Sequence, residues 1–235
     1  MTLATRMGLG DRGLVALVGG GGKSTLLFRL GTELASDGRR VVMTTTTKMG
    51  RDQIDAVPNV CDSIQCVLAE QVRPGPIMLV VGGDSHKITG PAPEELDALA
   101  REPSIDFVIV EADGAHGRPL KAPGPHEPVI PSTSSTVVIA MGIDAVGQRL
   151  DEVSHRVERA MEFTGHPADR ILTAEDCSVV LTHPNGALRE VPDGARVVVA
   201  LTKVAGAVAQ SAAGRMRSVL AGYPAIHDVI TIRGR

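Results

Sequence analysis

The chain has 235 residues, of which 43% are hydrophobic, and this suffices for one large α/β domain with a buried core. Its formal net charge is -3, its 24 basic and 27 acidic residues are scattered, and only 2% of its residues are aromatic. This composition provides neither a basic surface for nucleic acid or anionic lipid nor aromatic side chains for stacking bases. We therefore expect neither nucleic acid nor a membrane as a partner.

The apolar segments and the cysteines indicate the compartment. No apolar stretch approaches the roughly 20 residues that span a membrane, and residues 1–13 lack a signal-peptide core. We expect a cytoplasmic protein. Cys61, Cys66 and Cys177 are odd in number and lack a second pair at zinc-ligand spacing, so we expect three reduced thiols and no zinc site.

Short β-branched, apolar runs alternate with helical segments along the chain. The runs are nearly continuous in apolar residues, which is typical of strands buried on both faces of a parallel sheet. Between them, apolar residues recur at helical spacing, as in Leu27, Leu30 and Leu34. The sequence therefore predicts an α/β fold with a doubly wound, mostly parallel sheet and helices on both faces. The predicted strands are 13–18, 40–46, 77–83, 106–111, 136–141, 196–202 and 227–232, and the main predicted helices are 24–38, 93–102, 155–165 and 205–222.

Two segments depart from this alternation. Residues 118–131 contain five prolines, which predicts a stiff loop. Residues 164–192 form a small insertion with a helix that starts at Thr173, has Asp176 at capping-box spacing, and is followed by turns or a small hairpin. We see no internal repeat, so one domain over 1–235 is the simplest organisation.

The stretch VGGGGKST, residues 18–25, is either a hinge or a phosphate cradle. A cradle needs a strand, a glycine turn and a helix start, because backbone amides and the helix dipole must converge on the anion. The flanking apolar run and helical segment provide this context, which favours the cradle. Gly19–Gly22 would approach the phosphates, Lys23 would reach the β- and γ-phosphates, Ser24 would hold Mg²⁺, and Thr25 would add a hydroxyl.

The pattern differs from the standard Walker A motif because Leu17 occupies the position of its first glycine. It resembles the deviant motif K-G-G-x-G-K-[ST] of SIMIBI-class P-loop proteins, with Val18 in place of the signature lysine. This resemblance implies a P-loop NTPase fold, a nucleoside triphosphate and a homodimer.

Two carboxylates follow the strand in DFVIVEADG, residues 106–114. A strand that ends in an acidic residue is typical of a Walker B element, which delivers a carboxylate to Mg²⁺. Glu111, with Gly114 three residues later, resembles the D-x-x-G of GTPases and the same glutamate choice in nickel-insertion GTPases. We predict Glu111 and Asp113 as metal ligands or catalytic groups, and Asp113 could instead orient an attacking water.

Two further segments would complete a nucleotide site. TTTTKMG, residues 44–50, lies where P-loop proteins place a switch, so we predict Thr46 and Thr47 as ligand contacts; ordinary strand and capping threonines are the alternative. LTKVAG, residues 201–206, resembles the [NT]-K-x-D motif, with Lys203 packing on a base. Ala205 replaces the guanine-reading aspartate, so ATP is slightly favoured over GTP.

The segment EADGAHGRPLKAPGPHEPVIP, residues 111–131, together with VGGGGKST and TTTTKM, resembles the YqeC family of selenium-dependent molybdenum hydroxylase accessory proteins. This resemblance implies a P-loop protein that acts in maturation of a selenium-containing molybdenum cofactor, with a molybdenum hydroxylase or a maturation protein as partner.

Read from the residues, Arg118 and Lys121 would be cations near the γ-phosphate, and His126 and Glu127 a titratable pair. The alternative for all four is a proline wall whose polar side chains face water. His116 and His155 are predicted as lone surface histidines.

These observations predict a Mg²⁺-dependent nucleotide-binding protein, either an NTPase or a small-molecule kinase, with Lys23, Glu111, Asp113 and Lys121 as catalytic residues. A non-catalytic scaffold that switches with nucleotide state is the rival hypothesis. A direct selenium or molybdenum carrier is less favoured, because no Cys/His cluster lies at ligand spacing, although Cys61 and Cys66 could approach each other.

Overall fold

Eight strands form the central sheet in the computed structural model, which describes residues 1–69 and 74–234. Each strand pairs in parallel with its neighbour. This confirms the predicted α/β fold with a mostly parallel sheet. In spatial order the strands are β13 (Asp228–Thr231), β12 (Arg196–Thr202), β10 (Ser134–Gly142), β1 (Gly13–Gly19), β8 (Phe107–Glu111), β2 (Val41–Thr45), β5 (Ile77–Leu79) and β4 (Asn59–Cys61).

Two apolar clusters, one on each face of the sheet, form the core. Successive residues of β1 point to opposite faces, so Val15 and Leu17 pack with the leucines of α2 (Lys23–Ser36) while Ala16 and Val18 join the other cluster. Within the described ranges, no helix is both long and apolar enough to cross a membrane. The helices are α1 (Leu3–Met7), α2 (Lys23–Ser36), α3 (Ile64–Ala69), α4 (Pro93–Leu99), α5 (Leu150–Val153), α6 (Val157–Thr164), α7 (Ala174–Thr182) and α8 (Gly206–Leu220), with 3₁₀ turns η1 (Arg51–Ile54) and η2 (Ile143–Ala145).

Small sheets interrupt two of the predicted elements. The predicted strand 77–83 splits into β5 and β6 (Gly82–Gly83), and β6 pairs antiparallel with β7 (Lys87–Thr89), which in turn pairs with β3 (Lys48–Gly50). Within the proline-rich loop, β9 (Leu120–Lys121) pairs with β11 (Ser154–His155). The edge strand β4 was not predicted, because three residues are too few for a recognisable pattern.

The insertion between 164 and 192 agrees in part with its prediction. Thr173 caps α7, accepting from the amide of Asp176 at 3.1 Å, while the Asp176 carboxylate accepts from the amide of Thr173 at 3.0 Å. This reciprocal pair confirms the capping box. Residues 183–195 form turns, and this fully described range contains no hairpin strand.

The prediction of three reduced thiols is wrong. Cys61 at the end of β4 and Cys66 in α3 form a disulfide, with their Cα atoms 5.5 Å apart. The turn between strand and helix brings the two side chains together, and spacing along the chain did not reveal that turn. Cys177 is free and buried, and burial raises its pKa to about 12.

Gly31 sets the distance between α2 and the sheet. A Cβ at this position would lie 2.4 Å from Sδ of the buried Met43 in β2. We expect Gly31→Val to lower the free energy of unfolding by about 2 kcal/mol through overpacking. The matched control is Gly214→Val in α8, where a Cβ would have no neighbour within 4 Å and stability should change by less than about 0.5 kcal/mol. Urea unfolding measures both, and equal losses would contradict close packing at Gly31.

Candidate functional site at the glycine loop

The glycine loop connects β1 to α2 at the carboxyl edge of the sheet, where ligands of parallel α/β sheets bind. Gly19, Gly21 and Gly22 have positive φ values of 94°, 53° and 93°, which strain other residues. A Cβ on Gly20 would lie 2.6 Å from the Pro119 carbonyl oxygen, and one on Gly21 would lie 2.5 Å from the Gly142 amide. The loop is therefore packed against its neighbours, and this need for glycine was not evident from the sequence.

The backbone amides of the loop fall into two groups. Three successive amides already donate to protein acceptors, which leaves the start of α2, from Gly22 to Thr25, as the part of the loop best placed to receive an anion. The three bonds run from Gly19 to Asp113 Oδ2, from Gly20 to the Ala140 carbonyl and from Gly21 to the Arg118 carbonyl, each at 2.9 Å.

Lys23 is the first residue of α2, and its side chain folds back over the loop. Its Nζ donates to the Gly19 carbonyl at 2.6 Å and lies 3.1 Å from Asp113 Oδ1 and 3.9 Å from Glu111 Oε1. Only 4% of Lys23 is exposed. The ammonium is thus held at the loop by two acidic groups, both of which the sequence placed in the same site.

Ser24 and Glu111 form the second contact between helix and strand. The Ser24 hydroxyl donates to Glu111 Oε2 at 2.8 Å, so the end of β8 faces the start of α2. Burial raises the pKa of Glu111 above its usual range, against the opposing charge of Lys23. The strand end therefore presents a hydroxyl and a carboxyl group side by side.

Asp113 is completely buried between two lysines. Its Oδ2 accepts from the Gly19 amide and lies 3.3 Å from Nζ of Lys121. Its Oδ1 is within ion-pair distance of Lys23, yet it receives no hydrogen bond in the described structure because the ammonium is not aligned with it. Asp113 consequently keeps one unsatisfied acceptor beside the glycine loop.

Lys121 pairs with Oδ2 of Asp113, the same oxygen that accepts from the Gly19 amide. Its Nζ donates to the Gly114 carbonyl at 2.5 Å and lies 3.0 Å from Glu127 Oε2. Lys121 is 1% exposed, so this cation acts on Asp113 rather than on open solvent. In this geometry, Lys121 could take part in catalysis only through its contact with Asp113.

Glu127 turns inward, whereas His126 beside it is exposed. Burial would raise the pKa of Glu127, but the hydrogen bond and charge of Lys121, together with Arg156 at 2.9 Å, lower it to about 2. Arg118 donates to the Glu152 carbonyl and does not point into the loop. Of the predicted pair, Glu127 contacts Lys121 and Arg156, while His126 is exposed.

The threonine segment after β2 lies beside the end of β8. Thr45 donates to the Glu111 carbonyl at 2.9 Å, and Thr46 donates to the Val129 carbonyl of the proline-rich loop at 2.8 Å. The Thr47 amide donates to the Thr45 hydroxyl at 3.1 Å. Thr46 and Thr47 are half-buried. Through the hydrogen bond from Thr46 to Val129, the segment connects the site to the proline-rich loop.

A cavity of about 1000 Å³ opens next to the glycine loop. Its walls include the start of α2, the Thr202–Lys203 segment after β12 and residues 232–234 after β13. Thr202 donates to the Gly21 carbonyl at 2.7 Å, which ties this wall to the loop. Lys203 has a φ of 59° and pairs with Asp144 at 2.6 Å; this Asp144 contact was not anticipated from the sequence.

His116 and His155 are not the lone histidines that were predicted. Their rings stack with centroids 4.8 Å apart, and His116 has a φ of 49°. Nδ1 of His155 is buried and has no hydrogen-bond partner in the described structure. Burial, with Lys121 and Arg156 nearby, lowers the pKa of His155 to about 4.

The protein is an α/β protein with a parallel central sheet. The carboxyl edge of this sheet carries a glycine loop, a helix that starts with Lys-Ser, and two carboxylates at the end of a strand. The family model described as YqeC protein matches residues 15–158. The protein "Uncharacterized protein YqeC" of Escherichia coli (strain K12) is 37% identical over 189 residues, which cover 79% of this chain and 73% of that relative. The chain belongs to the YqeC family.

The lowered pKa of His155 predicts acid sensitivity. Because its folded pKa lies below the unfolded value of 6.5, the unfolded state binds more protons between pH 6.5 and 4, and stability falls as pH falls through this window. We expect His155→Gln to reduce this loss by no more than about 1 kcal/mol after solvent screening. Urea unfolding at pH 7 and pH 4.5 measures it, with the exposed His126→Gln as control. An unchanged pH slope in His155→Gln would contradict the prediction.

Proposed function

We propose that this protein binds a nucleoside triphosphate with Mg²⁺ and catalyses hydrolysis or transfer of its terminal phosphoryl group. The observation that carries the proposal is the meeting of the Lys23 ammonium, the Ser24 hydroxyl and the carboxylates of Glu111 and Asp113 at the start of α2. Phosphoryl transfer depends mainly on positioning and charge neutralisation, and these four groups are suited to both.

The residues present fit Mg²⁺ and phosphate. The unsatisfied Oδ1 of Asp113 and the Ser24–Glu111 contact offer oxygen donors, which Mg²⁺ prefers. No group of three or more His, Cys, Asp or Glu residues suited to a metal occurs in the described ranges. A site with few protein ligands is typical of Mg²⁺ held jointly by carboxylates and substrate phosphates. Bound Mg²⁺ would supply charge neutralisation at those phosphates.

Each side chain then has a distinct role. Lys23 would leave the Gly19 carbonyl and donate to the β- and γ-phosphates, while the amides from Gly22 to Thr25 receive phosphate oxygens. Ser24 and Glu111 would hold the metal ion. Asp113 would orient the attacking water or a metal-bound water, and Lys121 would hold Asp113 in place through their ion pair.

The cavity beside the loop suits the nucleoside. It adjoins Gly22 and Thr25 at one end and Lys203 at another wall, so a base could pack on the lysine stem. Ala205 supplies no carboxylate for a guanine edge, which favours ATP slightly over GTP. Competition between the two nucleotides tests this preference.

The proposed biological role rests on the family resemblance of the sequence. We propose that the protein acts in the cytoplasm, in maturation of a selenium-containing molybdenum hydroxylase cofactor, with the hydroxylase or a maturation protein as partner. We also propose that the protein forms a homodimer, because its glycine loop resembles that of SIMIBI proteins. The support for the role in maturation is the resemblance of residues 111–131 and of the glycine loop to the YqeC family.

Removing the Lys23 ammonium should strongly weaken nucleotide binding. We expect Lys23→Ala to weaken Mg-ATP binding at least about 100-fold, since a charge-assisted contact to phosphate is lost. Calorimetry of ATP and GTP with Mg²⁺ measures affinity, and release of inorganic phosphate measures turnover. The control is Lys87→Ala, which removes an exposed lysine from β7.

The outcomes separate the candidate functions. Binding lost only in Lys23→Ala, with phosphate release from the wild type, supports an NTPase. Release that appears only with an added hydroxyl acceptor indicates a kinase, whereas binding without turnover indicates a switching scaffold. No binding of either nucleotide would overturn the proposal.

The Mg²⁺ dependence of nucleotide binding tests the proposed role of Glu111 as a metal ligand. Chelation of Mg²⁺ should remove most nucleotide affinity in the wild type, and Glu111→Gln should bind Mg-ATP about 10-fold more weakly. Because the pKa of Glu111 is raised, wild-type affinity should fall as pH falls toward that pKa, and this fall should be absent in Glu111→Gln. Titrations at several pH values, with Glu94→Gln on exposed α4 surface as control, test both points.

A further inference from the structure

The Cys61–Cys66 disulfide lies on the same edge of the sheet as the glycine loop, but at a separate place. Cys61 ends β4 and pairs with Leu79, while two strands further on Thr45 pairs with Glu111. Three strand spacings separate β4 from β8, which corresponds to about 14 Å. Ligands of parallel α/β sheets bind at the carboxyl edge. The cysteines therefore lie at an edge suited to ligands, but outside the proposed nucleotide site.

Both cysteines line a cavity of about 540 Å³. Cys61 is 3% exposed, whereas Cys66 is only half-buried. The cavity wall also contains Arg51 and Asp62, one cation and one anion, and the apolar Val60 and Val81. A volume of this size suits a small molecule. Cys66 is therefore the more accessible partner of the bond from the cavity, and Cys61 the more enclosed one.

The bond contributes little to holding the fold together. The six residues from Cys61 to Cys66 close a very short loop, and crosslinks stabilise least when the loop is short. The neighbouring backbone is already fixed, since the Val80 amide donates to the Cys61 carbonyl at 2.9 Å. A short, cavity-lining disulfide with one half-buried cysteine is the arrangement of an exchange site rather than of a structural clamp.

We propose that Cys61 and Cys66 form a redox-active site that exchanges with a low-molecular-weight thiol in this cavity. The thiolate of the small molecule attacks the Cys66 sulfur, the Cys61–Cys66 bond breaks, and Cys61 leaves as a thiolate that takes up a proton. A second thiol then attacks the mixed disulfide, releasing Cys66 and the oxidised small molecule. In sum, one disulfide and two thiols give two cysteine thiols and one small-molecule disulfide. The inference is independent of the proposed nucleotide chemistry.

The test equilibrates the full chain in glutathione buffers of increasing oxidised fraction, followed by acid quenching, alkylation and mass analysis. We expect the Cys61–Cys66 pair to pass from at least nine-tenths dithiol to at least nine-tenths disulfide across these buffers. Cys177→Ser should give the same curve, because Cys177 is buried with a raised pKa. A bond that persists in excess reduced glutathione, or a pair that stays reduced in oxidised glutathione, would overturn the proposal.

Single variants identify the attacked sulfur. With oxidised glutathione, Cys61→Ser should accumulate the adduct on Cys66 at least tenfold faster than Cys66→Ser accumulates it on Cys61. Equal rates would contradict an accessible Cys66 beside a shielded Cys61. Labelling of the buried Cys177 in the same samples reports unfolding, and if either variant unfolds, the wild-type equilibrium decides the question alone.

Discussion

The buried ion cluster around Asp113 is the interaction on which the rest of the site depends. A fully buried carboxylate is costly unless it is paired, and here Lys23 lies on one side, Lys121 on the other, and the Gly19 amide donates to it. Loss of one partner from such a cluster typically costs about 3–5 kcal/mol, because an uncompensated charge remains. Asp113 thereby fixes the end of β1, the start of α2 and the proline-rich loop relative to one another.

This cluster continues outward as an alternating series of charges. Lys121 connects Asp113 to Glu127, and Glu127 connects to Arg156 near the surface. A movement of Lys23 away from Asp113 would alter the charge balance along the whole series. The proline-rich loop, which is the most distinctive part of the family resemblance, is thus joined electrostatically to the glycine loop.

Among the described residues other than glycine, three adopt positive φ, and each lies in or beside the candidate site: His116, Arg156 and Lys203. Such conformations cost about 1–3 kcal/mol each and persist where surrounding contacts enforce them. His116 stacks on His155, Arg156 pairs with Glu127, and Lys203 pairs with Asp144. In the described part of the chain, the strained non-glycine residues are therefore held by contacts in or beside the candidate site.

The sequence alone was sufficient to predict the α/β fold, the leucine face of α2 and the capping box at Thr173. These features depend on local periodicity and on residues three or four apart, which the chain displays directly. It also predicted that Lys23, Ser24, Glu111 and Asp113 share one site, because parallel strands place their carboxyl ends at one edge.

Only the tertiary structure decided which groups touch. Gly19 and Asp113 are 94 residues apart, and their hydrogen bond exists because β1 and β8 are neighbours in the sheet. The enclosure of Lys121, the inward turn of Glu127 and the Cys61–Cys66 bond likewise arise from packing between distant or irregular segments. Strand order and loop paths are set by the free energy of the whole core, so no local pattern in the chain encodes them.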